Sequence, residues 1–367
     1  MRITDVQATT IRIPLETVFG GSVYRIDNRC TIVVQVHTDE GIVSESYSGD
    51  ERHAYREVHE LVTGPLREAV IGEDPFALER VWEKMFSLTP LMRNKSAAMR
   101  AIAAVDTALW DIVGKALKVP VRVLLGGYRE RLPAVRFAYY VEGRDTATMV
   151  GDLQRQRERG FGGVKLKVGG VPVPEDVARV RAIRQALGDD FIIVCDANQA
   201  WTVAEAVQFA RAVEEFNLAW LEEPVRWEFA LEGMRQVRQR TTIPVAAGQG
   251  ESTRFGCWQL VEGEAVDILN VDASIAGGIT EWRRIAAAAS LKGIRMAHHE
   301  EPHIAVQLLS AIPHGLFVEV FEEARDPVYH QLNRRLPPIS GGYMTAPSEP
   351  GLGLELDRQF MARYRVL

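Results

Sequence analysis

The sequence predicts an α/β protein built on a closed, TIM-like barrel, and three observations carry that expectation. From about residue 134 onward, eight short strand-like runs recur at regular intervals: AVRFAYY, GGVKLKV, FIIVCD, LAWLEE, TIPVAAG, VDILNVD, GIRMAHH and LFVEVF. Amphipathic stretches separate most of them, and alternation of strand and helix predicts a parallel sheet. Eight such units favour closure, because an open doubly wound sheet usually has fewer strands and a glycine fingerprint after its first. No GxGxxG follows any early strand here.

The stretch WTVAEAVQFARAVEEF shows how the helices are specified. Thr202 and Glu205 have capping-box spacing, and Val203, Ala206, Val207 and Ala210 form an apolar stripe. The first 125 residues read differently. TIVVQVHT and IVSESYS alternate like strands, and SAAMRAIAAVDTALWDIVGKAL reads as one long helix, so a separate α+β layer is expected. After the eighth run, LPPISGGYMTAPSEPGLGLEL is too rich in proline and glycine for a regular eighth helix. The tail is therefore expected to return to the N-terminal layer.

Composition narrows the function classes. With 367 residues and 47% apolar content the chain can bury a large core. A net charge of -6 with scattered Lys and Arg argues against nucleic acid and against an anionic membrane surface. Cys30, Cys195 and Cys257 lack CxxC spacing, and their odd number fits reduced thiols, which points to the cytoplasm. The start, MRITDVQATTIRIPL, lacks the apolar core of a signal peptide, and no run approaches the roughly 20 apolar residues of a membrane span.

Acids close several of the apolar runs: Asp196 in FIIVCDAN, Glu222 in LAWLEEP, Glu251 after IPVAAGQG, and Asp272 in VDILNVDAS. One acid at a strand end is as often a helix cap. Three in series, Asp196, Glu222 and Glu251, suggest a hard-cation site open to substrate oxygens, because Mg²⁺ prefers oxygen ligands and keeps several waters. Gln249 lies closer to the expected strand end than Glu251, so either its amide ligates or a bulge at Gly250 brings Glu251 inward. Lys165 and Lys167, at i and i+2, share one strand face; inside a barrel mouth one becomes a general base, and outside they are solvated lysines. His299 ends the seventh run beside Asp272 of the sixth, a carboxylate that would orient the ring, although His298 and His303 dilute the signal. Glu319 ends the eighth run and could donate a hydrogen bond if kept protonated, or be a surface acid beside Glu322 and Glu323. The GGIT segment at Gly277 is best explained as a helix start capped by Thr280.

As an ordered set these motifs resemble the enolase superfamily, and more narrowly its mandelate racemase-like subgroup, over essentially the whole chain. The resemblance rests on ALWDIVGKALKVPVRVLLGG around Trp110 and Gly126, on KLK at Lys165 to Lys167, DANQAW at Asp196, EEP at Glu222, NVDASIAGGITEW at Asp272, and the His299 region. It implies a (β/α)₇β barrel over residues 126–322, with an α+β capping domain formed from residues 1–125 and the returning segment 323–367. It implies Mg²⁺ as cofactor, stabilising an enediolate after a proton leaves the carbon next to a carboxylate. By position, Lys167 is the first base with Lys165 as its electrostatic neighbour. Asp196, Glu222 and a third ligand hold the metal, His299 paired with Asp272 is the second acid/base, Glu319 hydrogen-bonds the substrate carboxylate, and Asn198 is an auxiliary polar residue. The subgroup usually has glycine followed directly by glutamate where this chain has AGQGES. A homo-oligomer is also implied.

Two proton carriers on opposite faces of a carbon can racemise it, or one can take a proton while the other protonates a departing hydroxyl. Tyr24, Arg25, Asp27, Asn28 and Arg29 in an expected lid segment, with Arg93, Asn94 and Lys95 in a second loop, suit a hydroxyl-rich carboxylate. The expected reaction is dehydration of an aldonate or aldarate to a 2-keto-3-deoxy acid. The alternatives are a racemase or epimerase of a 2-hydroxy acid, and a non-catalytic binding protein on the same fold.

Overall fold

The computed structural model describes all of Met1–Leu367. Strand β1 (Ile3–Gly20) and strand β2 (Arg25–Thr38) make a long antiparallel hairpin, widened by β3 (Ser46–Ser48). Period-2 alternation puts Val6, Ile32, Val34 and Val36 on one face, and a register shift between Ile3 and Asp5 brings Ile3 to the same side; there they pack with Ile102, Val105 and Leu109 of the helix Lys95–Leu117. That helix is buried along most of its length and rich in alanine, which allows close packing on both sides. Asn94 caps its start by accepting from the Ala97 N–H, and Lys118, at φ 58°, ends it.

All eight runs form parallel strands: β4 (Arg131–Ala138), β5 (Gly163–Lys167), β6 (Ile192–Asp196), β7 (Trp220–Glu222), β8 (Val245–Ala247), β9 (Ile268–Asn270), β10 (Arg295–His298) and β11 (Gly315–Val320). The ring closes where β11 pairs with β4, Val318 opposite Ala134 and Glu319 opposite Val135. Inside it, Val135, Val194, Trp220, Ala246, Ile268 and Phe317 form an apolar floor, with Trp220 stacked on Phe317 at 4.5 Å. Two residues further along the same strands stand Asp196, Glu222, Asn270 and Glu319, so the alternation that builds the floor also lifts the polar groups to the mouth. Between β6 and β7, the helix Val203–Val213 starts with the expected box: the Glu205 N–H donates to Thr202 Oγ1 and the Thr202 N–H to Glu205 Oε2.

No eighth helix follows β11. The chain forms an irregular turn at Val328–Leu332, then β12 (Ile339–Ser340) and β13 (Tyr343–Thr345), and β13 pairs antiparallel with the start of β4. That pairing had no counterpart in the sequence reading. Val328, Leu332, Leu356 and Met361 then pack against Ile11, Ile13, Val33 and Tyr47 of the N-terminal sheet.

The helix Ile279–Leu291 is not capped by its own Thr280, as the sequence suggested; Gly278 precedes it without a side-chain cap. Asp106, on the helix Lys95–Leu117, accepts from the Thr280 N–H at 2.9 Å and the Thr280 hydroxyl at 2.6 Å, while Trp110 Nε1 donates to the same hydroxyl at 2.9 Å. The N-terminal layer thus caps a barrel helix from outside, satisfying donors that a helix start leaves open. No helix is long and apolar enough to cross a membrane.

Candidate active site

Parallel register sets Lys167 opposite Asp196 and Asp196 opposite Glu222, so base and acids form one row at the strand ends. Lys167 Nζ lies 2.6 Å from Asp196 Oδ2. Lys165 Nζ lies 2.8 Å from Glu222, 2.8 Å from Glu319 and 3.6 Å from Asp196. All five side chains are buried. Burial opposes charge on Lys167, but Asp196 outweighs it and holds the ammonium well above its ordinary value. Burial likewise opposes charge on Asp196, and Lys167 and Lys165 bring it down to about 2.

Sequence reasoning missed three members of this layer. Asn270 donates to Glu222 at 2.9 Å and to Glu319 at 3.2 Å, and Trp220 Nε1 donates to Glu222 at 2.9 Å. Both stand on inward-facing positions, a parity the strand pattern contained. The third is Glu223. Its φ of 40° is left-handed, and Gln249 Nε2 donates to its Oε2 at 2.8 Å. Burial, then Asp196 and Glu222, push Glu223 up to about 7.

Glu251, expected as the third ligand, is not part of this cluster. The chain turns at Gly248, with φ 128°, and not through a bulge at Gly250. That turn leaves Glu251 half-buried, its carboxylate against Gly256 in the helix Arg254–Glu262. Gln249 takes the place beside Glu223. Its Oε1 is buried without a hydrogen-bond partner, and so is Asn198 Oδ1. Asn198, at φ 45°, donates its N–H to Asp196 Oδ1. Two ammonium groups thus share a mouth with four buried carboxylates, Asp196, Glu222, Glu223 and Glu319, and with three unpartnered amide oxygens, those of Asn198, Gln249 and Asn270. An excess of negative charge and free oxygen donors suits a hard divalent cation.

His299 stands just past β10, and its Nδ1 lies 3.1 Å from Asp272 Oδ2. Asp272 is fixed in turn by the Ser274 N–H at 2.8 Å and the Ser274 hydroxyl at 2.6 Å. On the other side, His299 Nε2 lies 3.5 Å from Glu300 Oε1. Burial opposes the imidazolium, but Glu300 and Asp272 raise the ring to about 9. The neighbouring histidines have other work. His298 Nε2 accepts from the Ala273 N–H, and its Nδ1 donates to the His299 carbonyl at 2.9 Å. His303 stacks on Tyr47 at 4.1 Å. Glu319 joins the two halves of the site: Oε1 accepts from Lys165 and Oε2 from the Glu300 N–H at 3.1 Å. Both oxygens of Glu319 thus accept from donors of the protein itself.

The β1–β2 hairpin is anchored over the mouth by paired bonds between Gly20 and Tyr140 and by the Ser22 hydroxyl on the Ala197 carbonyl. It brings the Tyr24 ring to 5.8 Å from Lys167 Nζ, with Tyr139 at 5.7 Å. Tyr24, Arg25 and Tyr139 line a cavity of about 1140 Å³ that opens beside these rings. Asp27 and Asn28 bond to each other along the hairpin, and Arg29 is buried in ion pairs with Asp326 and Asp50. In the second loop, Asn94 caps a helix and donates to Glu57, and Lys95 bonds to the Thr89 and Met92 carbonyls, so both are engaged within the N-terminal layer.

Residues 2–126 match the family described as Mandelate racemase / muconate lactonizing enzyme, N-terminal domain, and residues 148–360 match Enolase C-terminal domain-like. The chain is 30% identical to D-galactarolactone cycloisomerase of Agrobacterium fabrum, over 100% of this chain and 99% of the relative. It is 31% identical to 3,6-anhydro-alpha-L-galactonate cycloisomerase of Streptomyces coelicolor, over 99% of each. With L-talarate/galactarate dehydratase of Salmonella typhimurium it shares 29%, over 98% of this chain and 90% of the relative. The crystal structure of a mandelate racemase/muconate lactonizing enzyme from a marine actinobacterium, in complex with magnesium, superposes with a TM-score of 0.93 at 39% identity, covering 100% of this chain and 99% of that one.

Proposed function

We propose that this chain, which belongs to the mandelate racemase and muconate lactonizing enzyme group of the enolase superfamily, eliminates the oxygen substituent at C3 of a sugar acid. The cofactor is Mg²⁺. When bound, it neutralises the negative charge that develops on the substrate carboxylate as the adjacent proton leaves. Asp196, Glu222 and Gln249 would hold it, with Glu223 positioned by Gln249.

In this reading Lys167 would lose its proton once a bound cation drew off the Asp196 charge that holds the ammonium, and the free amine takes the C2 proton, while Lys165 stabilises charge through Glu222 and Glu319. The C2 electron pair then forms the C2–C3 double bond while the C3–O bond breaks. His299 gives its proton to the departing oxygen. The enol that remains tautomerises to a 2-keto-3-deoxy acid, so overall one water is lost.

The observation that carries this reading is the His299 ring between Asp272 and Glu300, raised to about 9. A ring that rests as an imidazolium is a proton donor, which elimination needs at the leaving group. Incubation with a panel of diastereomeric aldonates and aldarates should give a 2-keto product with at least one. Solvent deuterium exchange at C2 without keto product would instead assign a racemase or epimerase. A second reading keeps the same bond-breaking with a different leaving oxygen. The two cycloisomerases at 30–31% identity support a ring oxygen of a lactone or anhydro sugar in that place. An open-chain 2-keto acid formed only from the cyclic compound would favour it.

A further inference from the structure

We propose that Arg325, with Glu300 standing between it and His299, forms a subsite for the substrate hydroxyl groups beyond C3, and that this substrate carries a single carboxylate. The inference builds on the elimination reading but concerns the end of the molecule that does not react.

Glu300 Oε1 lies 3.8 Å from Arg325 Nη2 and 3.5 Å from His299 Nε2, which links the guanidinium to the acid of the dyad. A single aromatic ring, Tyr139, lies within 5.7 Å of Lys167 Nζ and 5.9 Å of the Arg325 guanidinium carbon. The base and the guanidinium therefore flank one side chain, a separation that a five- or six-carbon acid can span. Arg325 rests on Phe321 at 4.6 Å and is fully buried, yet its Nε and Nη1 have no hydrogen-bond partner. Buried donors left open in this way are costly unless a ligand or ordered water meets them. Glu300 and Glu301 both sit at left-handed φ, 54° and 46°. Such strain in consecutive non-glycine residues is tolerated where it aims a side chain.

Charge decides what kind of ligand fits. Arg325 and Arg52 both pair with Asp50, and Arg29 pairs with Asp50 and Asp326. With Glu300, three arginines meet three carboxylates, so the network is neutral. A second substrate carboxylate would have to break one of these pairs and leave a buried charge unmatched. Hydroxyls would not, since Glu300 can accept from them and Arg325 Nε and Nη1 can donate to them.

Binding to the Mg²⁺-loaded Lys167→Ala variant tests this without turnover. D-Gluconate would be compared with D-glucarate, and D-galactonate with galactarate, by calorimetry. In the better-binding pair the monoacid is expected to bind at least about tenfold tighter. Adding Glu300→Gln, which leaves a positive excess, should shift the preference toward the diacid by a similar factor. Adding Arg325→Lys, which keeps the charge and loses the planar donors, should weaken the monoacid about fivefold or more. Tighter diacid binding in the parent variant would overturn the proposal, and that comparison requires neither further substitution to fold. Unchanged monoacid binding in Arg325→Lys would assign the open donors to water and would overturn it too, as would no binding of any of the four acids at millimolar concentration. Failure of the elimination reading itself would appear separately, as absence of 2-keto product from the unmodified enzyme.

Discussion

Nδ1 of His299 lies 3.1 Å from Oδ2 of Asp272, and the two reach each other from the ends of neighbouring strands β10 and β9. The contact fixes the ring and leaves Nε2 toward the mouth, where Glu300 adds a second negative charge at 3.5 Å. The sign of the pH response follows. The folded-state value of about 9 lies above the ordinary 6.5, so the stability this ring contributes is complete below about pH 6.5 and is lost as pH climbs through about 9. Turnover that depends on the imidazolium should fall over the same basic limb. Glu300→Gln should move that limb to lower pH, and NMR titration of the ring checks the shift directly.

Replacing the two proton carriers should have different consequences. Lys167→Ala should lower kcat by about 10²–10⁴ and abolish deuterium exchange at C2, because no base remains. His299→Asn should lower elimination by a similar factor while C2 exchange persists. Equal loss of exchange in both variants would contradict the division of roles, and circular dichroism checks that each stays folded.

The third metal ligand is decided by Gln249 and Glu251. Gln249→Ala removes the amide that holds Glu223, and should weaken Mn²⁺ binding, followed by electron paramagnetic resonance, by about 10–100-fold. Glu251→Gln should leave it within about twofold, since that carboxylate lies against Gly256. The reverse order would return Glu251 to the metal.

At the junction of the two domains, Asp106→Ala removes the external cap on Thr280 and should cost about 1–2 kcal/mol in thermal or denaturant unfolding. Gly278→Ala should also destabilise, because φ is 99° and the added methyl group would collide with the Asp106 carboxylate. In the double variant the collision is gone, so the two losses should sum to less than their separate values.

Much of this molecule was legible in one dimension because its information is local. Apolar runs at fixed spacing specified eight strands, and the i, i+2 rule put Lys165 with Lys167 on one face. Thr202 and Glu205 specified their own helix start. Asp196 and Glu222 were found because a carboxylate that is the last residue of a buried strand has little choice of direction. Glu251 was misplaced for the opposite reason: four residues past the end of β8, its direction depends on how the backbone turns at Gly248.

By itself the sequence determined the closed ring of strands, the order of acids and bases around it, and the family whose motifs it carries. Tertiary structure alone decided that Gln249 rather than Glu251 stands beside Glu223, and that Asp106 caps a helix 174 residues away. The physical reason is range. Periodicity and capping act over a few residues and leave a trace in the pattern, whereas a hydrogen bond between distant segments depends on the register of the whole ring and leaves none.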